Sequence, residues 1–400
     1  MIKTAIPFVI IGAGPAGLAA AIAYGKGAVI LERNQEAGKK LLLSGTGQCN
    51  FTNTLSKEDF IRACRKAGPW LKSAIYTYDS DFFINLLEEA GCESFAREDG
   101  KVFPSSRKAE HVRDALLKTT MHNGAEIVYD TQVLEIKKSK NGFILKTNND
   151  EIQCTKLLIA CGGSSWQQTG STGDGYFFAE KLGHKINPIK PALASVETSS
   201  QDSFSQCSGS TLQNIRADFI TKTGRHKDTD DVLFTHRGLS GPLILNNSYL
   251  LEKGDTIRLH LVPDAETSVP KALRDNRHKI VLNALKALPL TEAIIASVLH
   301  YLCIFADTQV RDLSKKEINK IINFLQAGDF IIKQVESLET SMSTAGGVLL
   351  KEVNPATMQS RIVQGLYIAG EVLDYALPTG GFNIQAAFST GFLAGISAIS

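Results

Sequence analysis

IPFVIIGAGPAGLAAAIAYGKGAVILE, residues 6–32, decides the fold of this 400-residue chain. Ile6 to Ile11 is a short apolar run rich in β-branched side chains, the composition of a parallel strand buried on both faces. Gly12-Ala13-Gly14-Pro15-Ala16-Gly17 follows at once, then an Ala-rich helical stretch from Leu18 to Tyr24, then a second strand, Ala28–Leu31, ending at Glu32. Each part has a mechanical reason. Gly12 permits the tight turn, Gly14 lets the backbone approach a pyrophosphate, and Gly17 permits close helix–strand contact. Free N–H groups at the helix start stabilise the diphosphate. An acid 20 positions after Gly12 accepts from both adenosine ribose hydroxyls and disfavours a 2′-phosphate. The stretch predicts a Rossmann-type dinucleotide site with Glu32 and its neighbour Arg33 at the adenosine end.

The other end of the chain selects the dinucleotide. Gly365-Leu-Tyr-Ile-Ala-Gly370-Glu371 reads as a turn, a short buried strand and an acid at the strand's C-terminal edge, where doubly wound sheets bind ligands. Thr379-Gly380-Gly381-Phe382-Asn383-Ile384-Gln385 leads into an Ala-rich helix from Ala386 to Ile399. That second helix N-terminus suits the N1–C2=O side of an isoalloxazine, and Glu371 is placed to accept from ribityl hydroxyls. An NAD enzyme needs neither feature, so the expected cofactor is non-covalent FAD. A third strand, Lys156 to Ala160, ends in Gly162-Gly163, for which an ordinary strand-end turn is the alternative; Thr169–Gly175 and a helix through Leu182 follow. The Asp130–Ile136 segment reads as a strand whose backbone at Val133 faces adenine.

Further segments carry a resemblance. Gly38-Lys-Lys40-Leu41-Leu-Leu-Ser44-Gly45-Thr46-Gly-Gln48-Cys49-Asn-Phe-Thr-Asn53, Gly100–Pro104, Leu233-Phe-Thr-His236-Arg237-Gly-Leu-Ser-Gly-Pro242 and Thr344–Val348 run in order along nearly the whole chain. With the glycine segments above, they resemble the BaiN/YhiN-type family of bacterial NAD(P)/FAD-dependent oxidoreductases, distantly similar to fumarate-reductase-type flavoproteins. That family usually carries Arg where this chain has Gln48, and often Asn or Gly where it has Thr46. Lys40, Leu41, Ser44 and Gly45 count among the cofactor contacts, although Lys39 and Lys40 form a solvated surface pair as easily.

The resemblance implies an α/β, glutathione-reductase/fumarate-reductase-like fold, NAD(P)H as a transient reductant, and reduction of a conjugated C=C bond. It implies two substrate types, a steroid-like enone or a uridine of ribosomal RNA giving dihydrouridine. The two share a core, since uracil C5=C6 is conjugated with C4=O. Hydride reaches the β-carbon and an acid protonates the α-carbon. Cys49 is the first candidate for that acid, with a small buried filler as the equal alternative. His236 and Arg237, in a Gly/Ser/Pro loop, are candidates to bind a carbonyl or anionic group, or else they stabilise their loop. A flavin amine oxidase and a non-catalytic FAD-binding redox sensor are the competing readings.

Between the two glycine-rich ends the pattern changes. Residues 191–265, with about 331–339, carry short β-type runs (Ala194–Thr198, Gln213–Thr221, Thr256–Val262) between Ser/Gly/Asp-rich turns, predicting a small barrel-like insert. Residues 266–330 switch to helical periodicity, with Thr267, Thr291 and Ser314 as N-caps. Residues 1–190 and 340–400 are then a discontinuous FAD-binding domain. Lys271, Arg274, Arg277, His278 and Lys279 read either as a basic patch or as a solvated helix face.

Bulk properties set looser bounds. A net charge of +2 neither demands nor excludes a polyanionic partner. The 7 cysteines contain no CxxC pair, which argues against a metal site and for reduced thiols in the cytosol. The redox CxxxxC of disulfide reductases is missing, and no second GxGxxG unit serves a nicotinamide nucleotide. Gly12, Gly14, Pro15 and Gly17 break the apolar run 5–24, which lacks a signal-type cleavage site; no other stretch approaches the ~20 apolar residues of a membrane span. The chain reads as soluble and cytoplasmic, with no membrane partner.

Overall fold

The computed structural model describes residues 5–399, which divide into two compact units: residues up to 190 with those from 338 onward, and residues 191–337. The first is built around Ile6–Ile11. Phe8 and Ile10 belong to one hydrophobic cluster, Val9 and Ile11 to another. Alternate side chains therefore face two cores, and apolar matter covers both sides of the sheet, as the unbroken apolar run requires. Ile6–Ile11 pairs in parallel with Ala28–Leu31 on one side and Glu151–Ile159 on the other. Glu126–Val128 extends the first side. Leu366–Ile368 joins Glu151–Ile159 in parallel, and Gly142–Thr147 and Val133–Ser139 complete the sheet antiparallel.

Two helices tie the chain's ends together. Phe382–Ile399 packs along Pro15–Tyr24 so closely that a Cβ at Gly391 would lie 2.1 Å from the Ala16 carbonyl oxygen, and one at Gly395 2.3 Å from that of Ala20. The contacts advance in the same sense on both helices, so the two run parallel. Gly391 lies nine residues beyond Phe382 and Ala16 one beyond Pro15, which offsets the two helix starts by eight residues, about 12 Å at ~1.5 Å per residue. By length and composition the C-terminal helix could cross a membrane, with a mean hydropathy of 1.3. That corrects the expectation that no further stretch comes near a span. Here 61% of it is buried, and its small residues press on the N-terminal helix.

In the second unit six antiparallel strands close a barrel, in the order Val196–Thr198, Gly238–Ser240, Gly224–Phe234, Thr211–Thr221, Thr256–His260 and Gly328–Val335. Phe219, Ile257 and Leu259 of the barrel share one core with Val269, Leu285, Leu299 and Ile321 of the helices. The strand-rich and helical inserts read separately from sequence are thus two halves of one compact body. Ser314 forms a capping box with Glu317, and Thr291 accepts from the Ile294 N–H. Thr267 is not a cap. Its helix begins earlier, at Ala265, where the Asp264 carbonyl accepts from Thr267 and Ser268.

His184 pins the first unit from inside: its Nδ1 lies 3.2 Å from Glu352 Oε2 and its Nε2 2.8 Å from Ser360 Oγ. Burial lowers its pKa from the ordinary 6.5 by more than Glu352 raises it. A base depressed in this way resists protonation only when folded. Its stabilisation is complete above pH ~6.5 and drains away as pH falls through that value toward the folded pKa. H184Q should therefore lose less stability than wild type between pH 7 and 5 in urea titrations; parallel losses would contradict this.

Replacing Gly391 by Ala tests the helix contact. Helix propensity favours Ala by about 1 kcal/mol, and the backbone clash costs about 3 kcal/mol, so a net loss of about 2 kcal/mol is expected in urea unfolding. An unchanged midpoint would show that the helices do not touch backbone to backbone.

Candidate dinucleotide site

Three glycines at the first turn are there for different reasons. Gly12 has φ +103°, and a Cβ on it would sit 2.7 Å from the Ala160 carbonyl oxygen. A Cβ on Gly17 would meet the Gly12 carbonyl oxygen at 1.9 Å. The chain itself requires both. Gly14 differs: its backbone is extended at φ −83°, which any residue adopts, and a Cβ there meets nothing within 4 Å. Pro15 opens the helix behind it, and no side chain caps that helix. The space over Gly14 is therefore a cradle at a helix start with N–H groups to offer, and the residues fit a diphosphate there.

Glu32 follows the adjacent strand Ala28–Leu31. Its Oε2 accepts from the Ala13 N–H at 2.8 Å, and Oε1 accepts from the Asn34 N–H and Nδ2, both at 2.8 Å. One acceptor position on Oε2 stays open for a hydroxyl. Arg33 turns elsewhere: its guanidinium clasps Asp174 at 3.0 Å, Thr172 Oγ1 at 2.6 Å and the Gly170 carbonyl at 3.2 Å. The Thr131 N–H donates to the Glu32 carbonyl at 2.9 Å, which runs the segment before Val133 beside the acid. Val133 itself is buried, paired opposite Thr147 at the start of its strand.

At the other end Glu371 departs from expectation. Its Oε2 accepts from Lys40 Nζ at 2.6 Å and the Gly163 N–H at 3.2 Å; its Oε1 accepts from Ser343 Oγ and the Thr344 N–H, each at 2.9 Å. Four donors fill the four acceptor positions of a carboxylate, leaving none for ribityl hydroxyls. Glu371 is instead a clasp. Lys40, no solvated surface residue, also donates to Ser165 Oγ at 2.6 Å. Burial raises the Glu371 pKa, but the Lys40 charge and the hydrogen bonds from Lys40, Ser343 and Thr344 together hold it below the ordinary carboxylate value. The same clasp explains Gly163, where a Cβ would lie 2.4 Å from Thr344 Oγ1; Gly162 adopts φ +73°. Sequence reading missed Ser165 and Ser343, whose only signal is their place beside the Gly162-Gly163 and Thr344–Val348 segments.

The second helix start is bolted in place. A Cβ on Gly381 (φ +91°) would lie 2.4 Å from the Thr52 carbonyl oxygen. Asn53 Nδ2 donates to the Gly380 carbonyl at 3.3 Å, and Thr52 Oγ1 donates to Gln385 Oε1 at 2.5 Å. Asn383 Nδ2 donates to the Leu377 carbonyl at 2.9 Å. The Phe382 ring is buried against Phe60, 4.6 Å between centroids, so it faces the core and no ligand; Thr379 and Ile384 stay half-buried beside it.

In the 38–53 segment Leu41 is core, Ser44 Oγ donates to the Leu41 carbonyl at 2.6 Å, and Gly45, Thr46 and Gln48 are exposed. Cys49 is wholly enclosed, and burial pushes its thiol up to about 12. An enclosed thiol cannot reach a substrate, so packing rather than proton donation is its place. In the other unit His236 and Arg237 are exposed, with Arg237 Nη1 3.0 Å from Glu197 Oε1, and they line a surface cavity of about 270 Å³ together with Gln201, Ser205 and Lys333.

A mainly parallel sheet, a glycine turn, an uncapped helix start and an acid beyond the adjacent strand define the class: a Rossmann-type FAD-binding fold, here interrupted by a barrel-and-helix unit. The profile described as HI0933-like protein Rossmann domain matches residues 6–397, and the chain belongs to that family. It is 31% identical to the ribosomal RNA dihydrouridine synthase of Haemophilus influenzae, over 97% of each chain. It is 28% identical to the 3-dehydro-bile acid delta(4,6)-reductase of Clostridium scindens, over 97% of this chain and 98% of that one. Among solved structures, a flavocytochrome c3 fumarate reductase shares the fold, with a TM-score of 0.54 at 14% identity over 99% of this chain and 78% of that one.

Lys40→Met should leave Glu371 without its counter-charge. Both side chains keep roughly a fifth of their surface, so the cost at neutral pH is about 2–3 kcal/mol rather than that of a fully buried pair. In wild type a lowered carboxyl pKa gives stability above pH ~4.5 that is lost as pH falls through the folded value. In the variant burial dominates, the pKa rises, and the deficit against wild type shrinks on acidification. A deficit independent of pH in thermal melts would refute the clasp.

Proposed function

We propose that this protein is an FAD-dependent oxidoreductase that reduces a carbon–carbon double bond conjugated with a carbonyl, drawing electrons from NAD(P)H. The observation that carries the proposal is the open cradle over Gly14 at an uncapped helix start, with Glu32 one strand away. Bound FAD supplies the two-electron chemistry. Gly14, Ala16 and Gly17 hold the diphosphate with backbone N–H groups, the Gly12 and Ala13 N–H groups being committed to the Leu31 carbonyl and Glu32 Oε2, and Glu32 takes a ribose hydroxyl on its open Oε2 position. Ser44, Gly45 and the helix start at Gly380, Gly381 and Asn383 border the ring end, with the helix dipole directed at it. Thr52 and Asn53 keep that helix start from moving, and the Lys40–Glu371 clasp holds Gly163 beside Ser343 and Thr344.

The names of the two relatives support the substrate chemistry. Dihydrouridine formation and delta(4,6) reduction both saturate a C=C bond conjugated with a carbonyl, so one geometry serves both. A ribosomal substrate would place the protein in the cytoplasm.

Gly14→Ala separates ligand binding from folding. The added methyl meets no protein atom within 4 Å, so the apoprotein should keep its stability within about 1 kcal/mol, while FAD affinity falls at least tenfold in flavin-fluorescence titration. Retained affinity would remove the diphosphate from this turn. For turnover, NAD(P)H should bleach the yellow holoprotein under anaerobic conditions, and an α,β-unsaturated ketone or uridine-containing RNA should restore the colour. Failure of every such acceptor would sink the reductase assignment.

A further inference from the structure

Two readings of the basic stretch 271–279 were open from sequence, and the tertiary structure separates them. Lys271 and Arg274 are exposed on the helix Ala265–Asp275, and Arg277 and Lys279 are exposed in the turn beyond it. The fold then adds cations from elsewhere. Ile280 bridges to Gln309, and the Val310 N–H donates to the Lys279 carbonyl at 3.0 Å, which seats Arg311 next to that turn. The Val262 N–H donates to the Leu325 carbonyl at 2.8 Å, joining the start of Ala265–Asp275 to the end of Lys315–Ala327. These helices therefore run antiparallel, and Lys315 and Lys316 lie at the end where Arg274 sits.

Seven cations from separate points of the chain meet at this end, against four carboxylates, one of them Asp307 in the turn beside Thr308. Glu317 is committed to its capping box, Asp275 lies 3.6 Å from Arg274, and Asp312 lies 3.9 Å from Arg311. Among the described residues Lys271, Arg277, Lys279, Lys315 and Lys316 have no carboxylate partner. The local excess exceeds the +2 of the whole chain. On the helix only Lys271 and Asp275 stand as opposite charges at i,i+4, and Asp275 is paired with Arg274 instead. The remaining cations outnumber the carboxylates, and their mutual repulsion is relieved by a polyanion.

An aromatic side chain completes the surface. Phe305 is 81% exposed, and its turn is tied to the same strip of backbone by the Val281 N–H to the Thr308 carbonyl at 2.8 Å and the Leu282 N–H to the Ala306 carbonyl at 3.2 Å. Cations for phosphates beside an open ring for a base are what single-stranded RNA recognition uses. We propose that this end of the 191–337 unit is a docking surface for single-stranded RNA. The inference rests on the reductase reading above and selects its RNA substrate class over a free small enone.

Fluorescence anisotropy of the holoprotein with a labelled, uridine-containing ribosomal RNA fragment, over a range of salt, tests it. K271E/R277E/K279E should lose more than tenfold in affinity, and its log–log salt slope should fall by about 2, at ~0.7 per phosphate contact on a single strand. F305A should weaken binding severalfold with the slope unchanged. Both variants should keep full FAD content and wild-type bleaching by NAD(P)H, which shows that they are folded. Wild-type affinity and slope in the triple variant would overturn the surface, as would wild-type protein that binds phosphatidylserine vesicles through these residues but not RNA. RNA binding lost in the variants, with no acceptor reduced by wild type, would leave the surface standing and strike the chemistry instead.

Discussion

The backbone contact between the first and last helices is what the rest of the structure depends on. Gly391 and Gly395 let Phe382–Ile399 lie directly on the Ala16 and Ala20 carbonyls, and any side chain at either position would separate them. Because the helices run parallel with an offset of about 12 Å, two helix starts point the same way at different depths. The proposed dinucleotide would lie across both, its diphosphate at the start of Pro15–Tyr24 and its ring toward the start of Phe382–Ile399. Helices from the two ends of the chain come together through close packing of small residues, and the Leu366–Ile368 strand beside Glu151–Ile159 reinforces the arrangement.

Polar groups around that frame divide into those the protein has used up and those it has left open. Glu371 has all its acceptor positions filled by Lys40, Gly163, Ser343 and Thr344, so it holds three segments of the first unit together. Glu32 has one position left, and the N–H groups at the first helix start face a gap. The difference is visible only when donors are counted atom by atom. Two acids that look alike in sequence, each at the end of a parallel strand, do different work for that reason.

The inserted unit obeys a similar economy of contact. Its barrel strands and its helices each bury one face, and both halves close on a single core. The cost of that arrangement falls at the helix ends, where cations from four stretches of chain are brought together with too few carboxylates to balance them.

Local chemistry determined much of this protein from the sequence alone. The Ile6–Glu32 stretch specifies strand, turn, helix and strand because glycine placement and an unbroken apolar run leave few alternatives, and the Ser314 capping box is legible for the same reason. What the sequence could not settle was every question of which side a group faces. Cys49 and Phe382 sit in motifs that look catalytic or cofactor-facing, yet both point into the core; Arg33 turns to Asp174; Glu371 is spent on Lys40. Thr267 reads as a cap and lies inside its helix. For Arg33, Glu371 and Phe382 the partner lies more than 100 positions away, and only the folded chain brings the two together.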